Sequence, residues 1–221
     1  MTLSLSIDAE LAGKVRLGVF VLDGVRVRDR EAGLESEVDA TCAELRSRHA
    51  GVPSGGVPGV ENARSLYKAL GIDPTKTRPS SEALLRRALK GEALYRINTL
   101  VDALNLASLR TQLPYGLYDL AKIQTPVWLR RGRPGEGYEG IRKGTVNVEG
   151  RPVLVDAAGP FGNPTSDSAR TCIGLQTSQA LVVCYAPANA TDRRLGEVLD
   201  TTEATLVRHC GGVRQARFLV P

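Results

Sequence analysis

The spacing of hydrophobic residues divides the chain into strands and helices. Apolar residues at alternate positions or in short runs predict strands over residues 3–7, 15–22, 126–130, 171–176, 180–186 and 213–220. Spacings of three and four residues, with their start and stop signals, predict helices over 31–49, 60–70, 79–91 and 189–209. A hairpin is predicted over 145–157, with its turn at Glu149-Gly150. This grouping of helices between strands predicts an α+β (mixed α/β) fold rather than a regular alternation of strands and helices.

A fifth predicted helix carries a polar stripe. Asn98, Asp102 and Asn105 are spaced by four and then three residues, so they share one face, beside apolar Leu100 and Leu104. Two interpretations stay open: these side chains join the helix to a neighbouring loop, or they form the wall of a polar pocket. Under either, we expect all three to face the interior.

The composition is typical of a globular protein. The chain has 221 residues, of which 42% are hydrophobic and 24% charged, enough for one large domain or two lobes that share a core. No apolar run approaches the roughly 20 residues needed to span a bilayer. The first residues, MTLSLSIDAELAGKV, lack the basic start of a signal peptide. We therefore expect a cytoplasmic protein with no membrane partner.

The cysteines and histidines do not form a recognisable metal motif. Cys42, Cys172, Cys184 and Cys210 are far apart, and the chain has only two histidines. We expect reduced, mostly buried thiols and neither a metal nor another cofactor. His49 and His209 each fall at the end of a predicted helix, where an imidazole often binds free carbonyl groups.

Positive charge is concentrated in two segments of a chain whose net charge is +5. The first cluster consists of Arg64, Lys68, Lys76, Arg78, Arg86, Arg87 and Lys90, and the second of Arg130, Arg131, Arg133, Arg142 and Lys143. Such clusters form either solvated faces or a binding stripe for a phosphate backbone. The RNA-binding candidates are Arg64, Lys68, Arg86, Arg87, Arg130 and Arg131. Few aromatic residues lie among them, which gives little support to a stacking platform.

The segment DAAGPFGNPTSDSART, residues 156–171, is the second candidate site. Its glycines permit tight turns, and its serines, Asp167 and Arg170 present hydroxyls and an acid–base pair on one loop. The segment lacks the Gly-Lys-Ser/Thr ending of a P-loop. It also lacks the GxGxxG pattern of a dinucleotide fingerprint and the GxSxG pattern of a serine nucleophile elbow. Cys172 is either a buried strand residue or, if His209 approaches it, a nucleophile.

The run RINTLVDALNLASLRTQLPYGLYDLAKI resembles part of the phenylalanyl-tRNA synthetase beta subunit, in the domain called B-three/B-four. The matching positions are Asn98, Val101-Asp102, Asn105, Leu113-Pro114 and Tyr118-Asp119. The loop after Asp156 is similar to the closing half of that domain. The resemblance covers roughly residues 61–188. It implies a freestanding member with layered mixed β-sheets and helices packed on one side, in which residues 1–57 complete a core over 58–221.

That family binds tRNA and, in bacteria, hydrolyses mischarged aminoacyl-tRNA. The resemblance implies that Asn98 and Asp167 are catalytic. It also implies a substrate-binding set of Asp102, Asn105, Tyr115, Gly116, Asp156, Gly159, Gly162, Ser166, Ser168 and Arg170. We expect tRNA or aminoacyl-tRNA as the partner, with a free amino acid as an alternative, and no DNA.

One departure from the family pattern affects the chemistry. The family usually has a histidine just after the Leu-Pro turn, where this chain has Gly116, and a glutamate where it has Asp167. Three hypotheses follow: a deacylase acting in trans on mischarged tRNA, a binding module for tRNA, RNA or an amino acid without turnover, and a pocket adapted to a small metabolite. We favour the deacylase because the loop keeps residues 166–171, and we expect Tyr115 to replace part of the lost polar function.

Overall fold

The computed structural model describes residues 3–141 and 144–221, so Arg142 and Lys143 of the second basic cluster lie outside the described residues. The strands are β1 Leu5–Ile7, β2 Val15–Asp23, β3 Tyr115–Asp119, β4 Val127–Arg131, β5 Gly137–Gly140, β6 Gly144–Asn147, β7 Pro152–Asp156, β8 Gly159–Gly162, β9 Gln179–Pro187 and β10 Val213–Val220. The helices are α1 Ala32–Arg48, α2 Val60–Ala69, α3 Ser80–Leu89, α4 Thr99–Thr111 and α5 Asp192–Cys210.

An antiparallel sheet, in the order β10-β2-β9-β3, forms the middle layer. Successive side chains of its strands point to opposite faces, so both faces bury apolar residues. Phe20 and Leu22 pack with the apolar sides of α4 and α5, whereas Leu17 and Val19 pack on the other face. The central strands are therefore buried almost throughout.

A second sheet, in the order β1-β4-β7-β8, covers that other face. Strands β1 and β4 are parallel, and the remaining pairs are antiparallel. A two-stranded ribbon of β5 and β6 forms a separate small sheet, whose Tyr138 and Val146 pack with Val153 and Val155 of β7. The layers are thus helices, sheet and sheet, which confirms the predicted α+β class with mixed sheets. The expectation that the helices pack on one side is wrong for α2, because its Leu66 and Tyr67 join the core on the other face of the middle sheet.

The sequence pattern does not predict β3, β5 or β8, and it differs from the structure at the predicted hairpin and at residues 171–176. The arms of the predicted hairpin at 145–157 belong to different sheets, since β6 pairs with β5 while β7 pairs with β4 and β8. All five residues of β7 are buried, which suits the middle of a sheet, but β6 is largely exposed. The strand predicted at 171–176 is a loop, in which the Thr177 hydroxyl donates to Asp119 and accepts from the Gly174 N–H.

His209 has a different role from the one expected. Its Nδ1 lies 3.0 Å from a carboxylate oxygen of Glu31, and its Nε2 lies 2.9 Å from one of Glu37. The Glu31 carboxylate also caps the first turn of α1, accepting from the N–H groups of Gly33 and Leu34. His209 therefore joins the end of α5 to the start of α1 instead of binding helix carbonyls.

Within the part of the chain that the structure describes, no helix combines the length and apolar character needed to cross a bilayer.

Candidate functional site

A cavity of about 740 Å³ opens between α3, α4, β3 and the loop that follows β8. Its apolar lining residues are Leu84, Ile97, Val101, Leu104, Leu117, Ile141, Pro164 and Ile173, together with the rings of Tyr95 and Tyr115 and the thiol of Cys172. Its polar lining residues are Ser80, Asn105, Ser108, Asn163, Thr165, Ser166 and Asp167. The volume and the mixture of mostly apolar walls with a few polar groups are those of a small-molecule site.

The two sequence segments that stood out as candidate sites meet in this cavity. Asn105 comes from the middle of α4, and Ser166 and Asp167 come from the loop. The side chain of Asn105 is half-buried and makes no hydrogen bond within residues 3–141 and 144–221, so its amide can serve a ligand. Asn105 and this loop therefore line one cavity, and the roles predicted for their side chains stay predictions.

Three tyrosines surround the Asp167 carboxylate on the side away from the cavity. The Tyr118 hydroxyl lies 3.5 Å from the hydroxyl of Tyr185. Burial raises the pKa of Tyr118, Tyr138 and Tyr185 above the usual range, and the negative charge of Asp167 raises each pKa further. These phenols therefore keep their protons at neutral pH and present no negative charge to the Asp167 carboxylate.

The loop that carries Asp167 is held by side chains from several elements. The Asn163 side-chain oxygen accepts, at 2.8 Å each, from the backbone N–H groups two and three residues later. The Tyr67 hydroxyl of α2 donates to the Pro164 carbonyl at 2.8 Å. The Tyr138 hydroxyl of β5 donates to the carbonyl of Ser166. Such support from neighbouring elements holds a functional side chain in one position.

Asn98 and Asp102 do not reach the cavity. Asn98 is the residue before α4, and its side-chain oxygen accepts from the Val101 N–H at 3.0 Å. Asp102 accepts from the Ile97 N–H at 3.1 Å, and burial raises its pKa. Both are buried, but the expectation that they contact the loop is wrong. Their oxygens instead satisfy N–H groups at the helix start, which have no partner in the helix itself.

Replacing Asn98 by alanine is expected to lower the free energy of unfolding by about 1 kcal/mol, because it removes a helix N-cap. Ligand binding by the folded protein should change little. The matched variant is Asn105→Ala, which is expected to leave stability nearly unchanged and to weaken ligand binding. Urea unfolding and ligand titration of both variants check this pair. Weaker ligand binding by Asn98→Ala, with unchanged stability, would instead assign Asn98 to the binding site.

Tyr115 lines the cavity with its ring rather than its hydroxyl. That hydroxyl lies 2.8 Å from the hydroxyl of Thr202 on α5 and 3.1 Å from that of Thr111. Burial raises the pKa of Tyr115 well above the usual value. The expectation that Tyr115 replaces lost polar function is therefore wrong, because its polar group is engaged away from the cavity.

Five further predicted residues lie outside the cavity lining: Asp156, Gly159, Gly162, Ser168 and Arg170. Asp156 and Arg170 form a two-pronged ion pair with oxygen–nitrogen distances of 2.8 and 3.0 Å. The Asp156 carboxylate also accepts from the N–H groups of residues 124 and 158. The buried Ser168 hydroxyl lies 3.1 Å from that of Thr171. These contacts stabilise the strands and turn beneath the loop, so the predicted binding role is replaced by a structural one.

Gly116 faces the space between the two sheets, since its neighbours Tyr115 and Leu117 line the cavity on the opposite face of β3. A β-carbon at Gly116 would lie 2.1 Å from the Tyr118 hydroxyl oxygen, and one at Gly162 would lie 2.3 Å from the same atom. Tyr118 therefore occupies the space that a side chain at position 116 would need. The sequence could have pointed to this residue, because Tyr118 is part of the matched motif.

Four of the six predicted RNA-binding residues already have partners within the chain. Arg64 makes two contacts of 2.7 Å with the buried carboxylate of Glu82, and Arg130 makes two of 2.7 Å with Glu136. Arg131 donates to the Gly150 carbonyl at 2.7 Å. Arg87 donates to the Ala93 carbonyl and contacts Glu92 and Tyr95. Lys68 and Arg86 are exposed and make no ion pair in the described ranges. These two side chains are the ones best placed to meet a phosphate backbone.

Comparisons with known proteins agree with this architecture. The B3/4 domain family matches residues 62–212, and the chain belongs to this family. Its fold is similar to that of an N-terminal fragment of the phenylalanyl-tRNA synthetase beta-subunit from Pyrococcus horikoshii, with a TM-score of 0.52 and 13% sequence identity. That match covers 100% of this chain and 55% of the fragment, so the chain spans about half of the fragment's length. No curated protein gives a significant match.

Proposed function

We propose that the cavity receives the aminoacyl end of a charged tRNA and hydrolyses the ester that joins the amino acid to the ribose. The observation that carries the proposal is one fixed carboxylate, Asp167, on the wall of a mostly apolar cavity. Membership in the B3/4 family supports a role in tRNA binding or editing. The cationic residues of α2 and α3 supply the charge that a phosphate backbone needs.

The proposed reaction needs little more than the positioning of a water molecule beside the ester. Asp167 accepts a hydrogen bond from a water molecule, whose oxygen attacks the ester carbonyl carbon. The bond between that carbon and the ribose oxygen breaks, the ribose oxygen takes up a proton, and the products are a free amino acid and uncharged tRNA. Asn105 and Ser166 can orient the ester by hydrogen bonds. An aminoacyl ester is already activated, so alignment supplies much of the rate increase.

The cavity walls favour an apolar amino acid. Leu84, Val101, Leu104 and Ile173 surround the space beside Asn105. A binding pocket separates side chains that differ by one methylene by only about 10- to 200-fold, so a second hydrolytic site improves accuracy most for apolar amino acids. A deacylation screen of tRNAs charged with apolar L- and D-amino acids tests the proposal. We expect hydrolysis above the spontaneous rate for a subset of the panel.

A second candidate function is binding without turnover. It is favoured by Gly116, which stands where the family usually has a histidine, and by Tyr118, which fills the adjoining space. Neither His49 nor His209 lines the cavity as it is described. Under this alternative, charged tRNA is bound but its ester survives at the spontaneous rate, so the same screen separates the two functions.

The double variant Lys68→Glu, Arg86→Glu reverses the charge of both side chains. It is expected to weaken the binding of any tRNA about equally. Each lost contact with a single-stranded phosphate makes the slope of log binding constant against log salt concentration shallower by roughly 0.7, so the loss of two contacts should change this slope by roughly 1.4. Filter binding over a salt series measures this. The control is Arg193→Glu with Arg194→Glu, an equal charge change at exposed positions of α5. An unchanged salt dependence in the first pair would exclude this surface.

A further inference from the structure

The rim of the cavity carries an exposed aromatic side chain held against a guanidinium group. Tyr95 is 67% exposed, yet it also lines the cavity. The guanidinium carbon of Arg87 lies 4.4 Å from the centre of the Tyr95 ring. Arg87 donates to the Ala93 carbonyl at 2.7 Å and lies 3.2 Å from Glu92, so its plane is fixed over the ring.

Other apolar side chains adjoin this pair on the same rim. Ile97 is 48% exposed and Ile141 is 42% exposed, and both line the cavity. Single exposed apolar residues are ordinary, but a group of them beside a cavity marks a binding surface. Arg86, one residue before Arg87 on α3, is exposed and makes no ion pair within the described ranges. The rim is therefore partly apolar and cationic.

We propose that Tyr95 and Arg87 form a stacking platform for the terminal nucleobase of the RNA whose aminoacyl end enters the cavity. This inference rests on the proposed function. Phenol rings and guanidinium planes stack on the faces of unpaired bases in single-stranded RNA, and stacking tolerates any base. The positive charge of Arg87 and Arg86 also suits the phosphate that precedes the terminal nucleoside.

The arrangement of the cavity agrees with the covalent structure of such a substrate. The ribose that bears the ester also bears the terminal base, so ester and base are separated by one sugar. Asp167 and Tyr95 line the same cavity, where Asp167 is half-buried and Tyr95 is at the exposed rim. An ester held near Asp167 would thus bring its base to the rim, while the amino acid side chain contacts the interior walls formed by Val101 and Leu104.

The test uses two probes that cannot be hydrolysed. One is adenosine with an aminoacyl group joined to the 3′ position by an amide, prepared with alanine, leucine and phenylalanine. The other is the same series without the base. The wild-type protein is expected to bind the best base-containing probe roughly 5- to 150-fold more tightly than its counterpart without a base, the range that one stacked base supplies. Tyr95→Ala should remove this preference, lowering affinity for the base-containing probe far more than for the probe that lacks the base. Tyr95→Phe should keep most of it.

Two results would overturn the platform while leaving the proposed function intact. One is equal affinity of the wild-type protein for both probes. The other is an equal loss of affinity for both probes in Tyr95→Ala, which would assign Tyr95 to the amino acid pocket. If neither probe binds the wild-type protein with any of the three amino acids, the platform fails together with the proposal that the cavity receives an aminoacyl ester.

Discussion

Replacing Gly116 by alanine is expected to lower the free energy of unfolding by about 1–3 kcal/mol, the usual cost of overpacking a buried site, and Gly116→His to lower it further. The added β-carbon would lie 2.1 Å from the Tyr118 hydroxyl oxygen and 2.6 Å from the ring carbon that bears it. Tyr118 cannot easily give way, because its ring packs edge-on against Phe161 at a centroid distance of 4.9 Å. Urea unfolding measures the loss.

A substitution at a second, uncrowded glycine serves as the control, because it separates the effect of crowding on stability from the effect of replacing a glycine. A β-carbon at Gly174 would meet no atom within 4 Å, so Gly174→Ala is expected to change stability by less than about 0.5 kcal/mol. Combining Gly116→Ala with Tyr118→Ala should cost less than the sum of the two single changes, since the small side chain removes the overlap. Equal unfolding midpoints for Gly116→Ala and the wild-type protein would contradict the packing described here.

This packing has a consequence for the chemistry. A histidine at position 116 and the observed position of Tyr118 exclude each other, so the usual family residue cannot be restored by one substitution. The charge of Asp167 raises the pKa of the buried Tyr118, so this phenol stays protonated. Gly116 therefore departs from the family pattern beside a tyrosine that matches it, and the Tyr118 hydroxyl occupies the space that a side chain at position 116 would need.

The second large effect is expected at Asp167. If the protein is a deacylase, Asp167→Asn should slow hydrolysis of the ester by about 10²-fold or more, the low end of what a positioned acid–base group supplies. The asparagine keeps the shape of the side chain but loses the negative charge. Affinity for tRNA should change little, because phosphate contacts dominate it. Rates under single-turnover conditions measure the effect.

The control for this variant is Asp200→Asn on α5, where an exposed carboxylate pairs with Arg217 outside the cavity. It carries the same change of charge and should retain the wild-type rate. His209→Gln is expected to affect stability rather than the rate, because His209 joins α5 to α1. If His209→Gln abolished hydrolysis in a folded protein, the chemistry would have to be assigned elsewhere.

The helices could be predicted well because their ends carry local signals. Thr191 caps α5, and Gly71 follows α2 with a left-handed φ of 82°. Strands are harder to predict, because the partner of a strand is set by distant residues. Strand β8 reads GPFG, a composition that argues against a strand until its pairing with β7 is known.

The site was predicted in part, for a related reason. The sequence identified Asn105, Ser166 and Asp167 as candidates. It could not distinguish Asn105 from Asn98 and Asp102, because all three were predicted to share one face of α4. The tyrosines around Asp167 were missed as a group. They come from β3, β5 and β9, and only folding brings these strands together.

The most direct test of the proposed hydrolysis is a single-turnover experiment with the wild-type protein in excess over a charged tRNA that it binds. The proposed hydrolysis predicts ester cleavage at least about 10²-fold faster than the spontaneous rate, with the Asp167→Asn variant close to the spontaneous rate. Stable, saturating binding of charged tRNA with cleavage at the spontaneous rate would contradict it and would identify the protein as a binding module.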